Sequence, residues 1–157
     1  MPGQPNILVS DSGHARITDF GQAKVTQSLD TMQSASRHGN TPRWAAPEVL
    51  NGQQPSKESD IFSFAMVMIE VCLGRLAVYR DSTYPRFAST QVYTGAVPFG
   101  TRSTAMAILA VTQGDRPPRP THPTFTESLW TLMHRCWDHQ PHSRPEAPEV
   151  SKVLANM

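Results

Sequence analysis

The stretch from Asp60 to Glu70 constrains the fold most. Between its acidic ends it carries Ile61, Phe62, Phe64, Ala65, Met66, Val67, Met68 and Ile69, with Ser63 the one polar break. Apolar residues this dense run almost all the way round a helix instead of along one stripe, so the pattern predicts a helix buried on every side. Ser56-Lys57-Glu58-Ser59 supplies its start. The run is about half of the roughly 20 residues a membrane span needs, so it reads as the centre of a packed domain. Cover for it comes later in the chain. A shorter helix is predicted over Thr101 to Thr112, with Met106, Ile108, Leu109 and Val111 ahead of a Gly114 stop. Another follows Thr124, whose spacing to Glu127 resembles a capping box, with Leu129, Leu132, Met133 and Cys136 at helical spacing. A last helix is predicted from about Glu146 to Leu154. Prolines gather around Arg116 to Pro120 and Pro141 to Pro148, in the joints between these helices, where a missing N–H costs little.

Ahead of the helices, Ile7 to Ser10 and Ala15 to Thr18 are two β-prone runs joined by Asp11-Ser12-Gly13, the signature of a hairpin. Asn6 and Asp19 stand at its open ends. From Gln22 to Pro42 the chain is rich in Ser, Thr and Gln with weak periodicity and reads as a loop. The fold class expected is mainly α within α+β, with one small hairpin and about four helices. A chain of 157 residues with 38% hydrophobic residues suffices for one such domain. Its net charge of +1 argues against a nucleic-acid surface built from bulk charge. Cys72 and Cys136 sit alone in apolar stretches, which excludes a disulfide framework and suits a reducing compartment. The N-terminus lacks a basic region followed by an apolar run. A soluble cytoplasmic or nuclear chain, with no membrane span, is expected.

Two short strings carry more specific information. Ile17-Thr18-Asp19-Phe20-Gly21 and Trp44-Ala45-Ala46-Pro47-Glu48 resemble the two ends of a protein-kinase activation segment, at the spacing that family uses. Asn6-Ile7-Leu8-Val9 resembles the asparagine that ends a catalytic loop, with its following strand. Ser59-Asp60-Ile61-Phe62-Ser63-Phe64 is similar to the start of the long central helix. His134-Arg135-Cys136-Trp137, Pro141 and Ser143-Arg144-Pro145 resemble the closing motifs of the fold, and Thr41-Pro42-Arg43-Trp44 resembles the strip that receives the residue after the phosphoacceptor. The chain thus resembles the C-terminal lobe of a tyrosine-kinase-like or Ser/Thr protein kinase along nearly its whole length.

That resemblance implies roles residue by residue. Asn6 and Asp19 would supply oxygen ligands to the Mg2+ that accompanies ATP. Phe20 would pack into the core and make the position of Asp19 two-state, and Gly21 would permit the backbone to flip. Glu48 and Arg144 would form a buried ion pair anchoring the segment to the helical base. Asp60 would accept hydrogen bonds from a catalytic-loop backbone. Thr41 is the residue type of Ser/Thr kinases, and Thr26, Ser28, Thr31, Ser34 and Ser36 are candidate phosphosites. The partner implied is a protein substrate or scaffold.

Plainer readings stand beside these. His134, Cys136, His139 and His142 have a spacing a metal could use, yet Cys136 continues an apolar helix face and reads as packing. Trp44 and Trp137 likewise read as packing residues.

The sequence departs from the family in two ways. Residues 1–157 contain no glycine-rich loop, no strand lysine with its helix glutamate and no catalytic-loop aspartate, so the expectation is an N-terminally truncated lobe with no catalytic residue and no kinase activity of its own. Truncation would also leave one side of the central helix uncovered and Asp60 without partners. The second departure is Val71 through Gln91, which has no counterpart in the family. Val71-Cys72 is what a splice-donor consensus encodes and Gln91 what an acceptor encodes, so a retained intron, in a fungal gene, stands beside a genuine surface insertion. Two functions are implied: a fragment of an ATP-dependent Ser/Thr kinase, or a catalytically dead, pseudokinase-like lobe that engages partners through the activation segment and the groove near residues 101–114.

Overall fold

The computed structural model describes residues 7–10, 12, 14–17, 42–73, 77–79, 90–93, 97–120 and 125–157. The chain divides into two compact units, residues 1–34 with 74–95, and residues 35–73 with 96–157.

In the first unit, strands β1 (Ile7–Val9) and β2 (Ala15–Ile17) pair antiparallel with Ile7 opposite Ile17 and Val9 opposite Ala15. Ser10 closes the turn by donating its N–H to His14 O at 2.8 Å, and the hydroxyls of Ser10 and Ser12 and the Nδ1 of His14 form a hydrogen-bonded chain across it. The predicted hairpin is therefore present, but it is not alone. Strands β3 (Ala77–Tyr79) and β4 (Thr90–Tyr93) form a second antiparallel pair, and β4 also pairs with β1, giving the order β2-β1-β4-β3. The stretch 71–91 thus contributes β-structure that its unfamiliar sequence did not suggest. Backbone pairing demands only extended conformation and free N–H and C=O groups, which leave little trace in residue pattern.

The second unit is helical: α1 (Pro47–Leu50), α2 (Lys57–Leu73), α3 (Thr104–Thr112), α4 (Glu127–Cys136) and α5 (Ala147–Ala155), with a 3-10 turn at Pro141–Ser143. α2 begins with a reciprocal cap: Ser56 N–H donates to Ser59 Oγ at 2.9 Å, and Ser59 N–H donates to Ser56 Oγ at 3.2 Å. The helix runs past Glu70 to Leu73, so the first residues of the 71–91 stretch continue it. The N-cap of α4 lies two residues later than expected. Thr126 is the N-cap, accepting from Leu129 N–H at 3.2 Å, while Thr124 lies outside the described residues.

Ile61, Phe62, Ala65, Met66 and Ile69 of α2 are buried and form the centre of the core with Val111, Leu132, Met133, Cys136 and Trp137. Cover on all sides, expected from the apolar pattern alone, does not hold, whereas the one uncovered side also expected above is present. Phe64 is 38% and Val71 39% exposed, with Val67 and Met68 half-buried between them, at the i, i+3, i+4, i+7 spacing of a single open stripe. Burial of one face suffices to hold the helix, because roughly 1.5–3 kcal/mol accompanies each large side chain withdrawn from water. Ser63 sits in the apolar run at little cost, its hydroxyl donating to Ser59 O at 3.0 Å.

Candidate functional site

α1 is a single turn whose geometry follows from Pro47 at its first position, where the fixed φ favours a helix start and the absent N–H is no loss. The turn places Glu48 inside the protein, 8% exposed. Arg144, which follows the 3-10 turn, is 6% exposed and meets it in a two-pronged pair: Nη1 donates to Oε1 at 2.6 Å and Nη2 to Oε2 at 2.9 Å. The remaining donors of this guanidinium reach backbone carbonyls, Nη1 to Glu58 O at 2.9 Å and Nε to Asp138 O at 2.8 Å, with Nη2 to His139 O at 3.4 Å. Every prong is used, as burial of a charge requires. Burial alone would raise the Glu48 pKa, but hydrogen bonds from Arg144 and from its own backbone N–H, with the Arg144 charge, hold it below 4.5.

Arg144 also lies over the Phe62 ring, 5.1 Å from Cζ to centroid, and a second arginine, Arg116, lies 4.9 Å from the same ring. Arg116 Nε donates to Trp137 O at 2.9 Å and Nη1 to Asp115 O at 2.8 Å. Its pKa is lowered by desolvation first and by the like charge of Arg144 second. Phe62 thus sits at a junction of two cations and one carboxylate, which ties α1, α2 and the segments before and after α4 together. Arg116 drew no attention in the sequence, since an arginine in a proline-rich joint reads as a solvated spacer.

Asp60 differs from Glu48. It is exposed at the first turn of α2, where its backbone N–H donates to Ser56 O at 3.1 Å; its carboxylate has no hydrogen bond or ion pair among the described residues, and desolvation raises its pKa above 3.8. Of the other residues singled out from the sequence, Asn6, Asp19, Phe20, Gly21, Thr26, Ser28, Thr31, Ser34, Ser36 and Thr41 lie outside the described residues. The structure therefore brings Glu48 and Arg144 together and leaves Asp60 apart from both.

The turn that follows Thr41 is held from two directions. Arg43 Nη1 donates to Pro98 O at 3.1 Å and Phe99 O at 3.2 Å, and Nη2 to Arg102 O at 2.7 Å. Trp44, half-buried, donates its indole N–H to Glu70 Oε2 on α2 at 2.8 Å. A tryptophan read as packing is thus also a hydrogen-bond donor. Trp137 is 2% exposed and packs edge-on against Trp130 and His134. Cys136 is buried and its thiol is pushed up to about 11 by desolvation, which leaves it protonated and poorly suited to bind metal. Among the described residues no cluster of His, Cys, Asp and Glu could hold a metal ion.

Residues 4–154 match the family described as protein tyrosine and serine/threonine kinase. A Dictyostelium discoideum protein named a probable serine/threonine-protein kinase is 28% identical over 152 residues, which are 97% of this chain and 14% of that protein. The serine/threonine-protein kinase STY17 of Arabidopsis thaliana is 29% identical over 149 residues, 95% of this chain and 22% of the relative. The dual specificity protein kinase shkD of Dictyostelium discoideum is 26% identical over 145 residues, 92% of this chain and 16% of the relative. The chain spans less than a quarter of the length of these curated relatives.

Proposed function

Because the chain belongs to the protein tyrosine and serine/threonine kinase family, we propose that it is the C-terminal lobe of a tyrosine-kinase-like protein kinase that phosphorylates Ser and Thr, and that alone it transfers no phosphate. The observation that carries the reading is the two-pronged, buried Glu48–Arg144 pair, which fastens residues 42–50 to the helical base and so gives an activation segment a fixed end. Asn6 and Asp19 would hold Mg2+ on ATP, since their oxygen donors suit a hard cation. Bound metal would offset the negative charge of the triphosphate. Thr41, together with relatives whose names are those of serine/threonine kinases, supports Ser/Thr specificity. Phe20 and Gly21 would set the position of Asp19, and Thr26, Ser28, Thr31, Ser34 and Ser36 are candidate regulatory phosphosites.

Inactivity of the chain alone is supported by the lack within residues 1–157 of a glycine-rich loop, a strand lysine with its helix glutamate and a catalytic-loop aspartate motif. No helix among the described residues is long and apolar enough to cross a membrane. A buried, unpaired Cys136 suits a reducing, cytoplasmic or nuclear setting. The test is phosphoryl transfer. Fused behind the small lobe and catalytic loop of a related kinase, the chain is expected to support magnesium-dependent phosphorylation of Ser and Thr peptides that Asp19→Ala abolishes. Expressed alone it should incorporate none. A folded but inactive fusion, or magnesium-dependent incorporation by the chain alone, overturns the corresponding half of the reading.

A second reading, a catalytically dead lobe that binds a protein partner or scaffold, is favoured by one observation: Met106 and Leu109 on α3 are 52% and 46% exposed. In that case a Met106→Gln, Leu109→Gln variant should lose binding while keeping its fold.

A further inference from the structure

The turn between residues 97 and 103 is unusual in two ways that meet at one side chain. Phe99, 7% exposed, has φ 56, a conformation that residues with a Cβ rarely adopt. The carbonyls of Pro98, Phe99 and Arg102 all accept from the guanidinium of Arg43, more than fifty residues earlier in the chain. Arg102 N–H also donates to Phe99 O at 2.8 Å, and its guanidinium lies 5.4 Å from the Phe99 ring centroid. Ser103, next in line, caps α3 by accepting from Met106 N–H. Three oxygens aimed at a single planar cation form a cradle matched to a guanidinium, and a point-like ammonium cannot span it. On its other side, the residue next to Arg43 is tied to α2 through the bond from Trp44 to Glu70.

We propose that Arg43 and Trp44 are positioning residues that pin the acceptor strip from both sides, Arg43 to the strained turn that leads into α3 and Trp44 to α2. The path of the strip and the left-handed conformation of Phe99 then depend on each other. A peptide seated on the strip is read against a backbone set by the 97–103 turn. This rests on the reading of residues 41–44 as the acceptor strip. The coupling itself does not.

Native-state hydrogen exchange on the 157-residue chain tests it, without nucleotide or peptide, so the coupling and the kinase reading can fail separately. Arg43→Ala is expected to speed exchange about tenfold or more at the amides of Arg102 and Ala45, which donate to Phe99 O and Pro42 O, while Trp130 and Val150 on α4 and α5 keep their rates. Guanidinium chloride at non-denaturing concentration, but not the same concentration of sodium chloride, should restore protection at both amides. Arg43→Lys, which retains the charge but not the fork, should fall between wild type and Arg43→Ala, and serves if the alanine variant does not fold. Unchanged exchange at Arg102 and Ala45, an equal rise at Val150, or equal rescue by sodium chloride overturns the proposal.

Discussion

Phe62 and Phe64 are two residues apart on α2 and meet opposite surroundings. Phe62 is fully buried between Arg116 and Arg144, and Phe64 is 38% exposed on the opposite stripe with Val71. The carboxylates near the two faces differ in the same way. Glu48 is buried against a guanidinium and its pKa is depressed, whereas Asp60 has desolvation without compensation and its pKa is raised. The difference teaches that apolar residues made α2 a helix, while the polar groups packed against one face determine what that helix holds in place.

The hardest test of the contrast removes the inner face. Glu48→Ala should cost about 3–5 kcal/mol, because Arg144 is left buried with its charge unmatched, and Phe62→Ala should cost a similar amount through the cavity it leaves. Urea unfolding measures both. A double change of Glu48 and Arg144 to Leu and Met should recover only part of the loss, since the carbonyls of Glu58, Asp138 and His139 would still lack their donor. Losses below about 1 kcal/mol for the single variants would remove the distinction between the faces.

A smaller effect is expected with acid. Glu48 is depressed in the folded state, so its contribution is complete above about 4.5 and is lost as pH falls through the folded value. Asp60 has the opposite sign: its folded pKa lies above 3.8, so ionisation disfavours the fold, and stability declines as pH rises through that interval. Thermal unfolding between pH 3 and 6 should therefore flatten in Glu48→Gln and steepen in Asp60→Asn. The same slope in both variants would mean that one environment governs both groups.

The smallest changes are expected on the open stripe. Phe64→Gln should alter stability by no more than about 0.5 kcal/mol, and Asp60→Asn should add less than about 0.5 kcal/mol at pH 7, where solvent screens most of its penalty. A loss above about 2 kcal/mol for Phe64→Gln would show that this face is covered in the folded chain.

Much of the helical architecture was legible in residue pattern. The spacing of Leu132, Met133 and Cys136, the glycine after α3 and the short link from Ser10 to His14 in the hairpin all act locally, within a few bonds of the structure they specify. The Glu48–Arg144 pair came from resemblance, since nothing in the spacing of two residues so far apart announces that they touch. Arg43, Arg116 and the bond from Trp44 to Glu70 were not legible, because each acts on backbone carbonyls or on a side chain from a distant segment. The pairing of β4 with β1 was hidden for the same reason.

By itself, then, the order of residues determined that a dense apolar helix would form, where its neighbours would start and stop, and which family the motifs belong to, because hydrophobic periodicity and capping are short-range effects. Only the tertiary structure decided which face of α2 would be covered and which guanidinium would meet which oxygen. Those choices turn on the desolvation of charges brought together from opposite ends of the chain, and that energy exists only once the chain has folded.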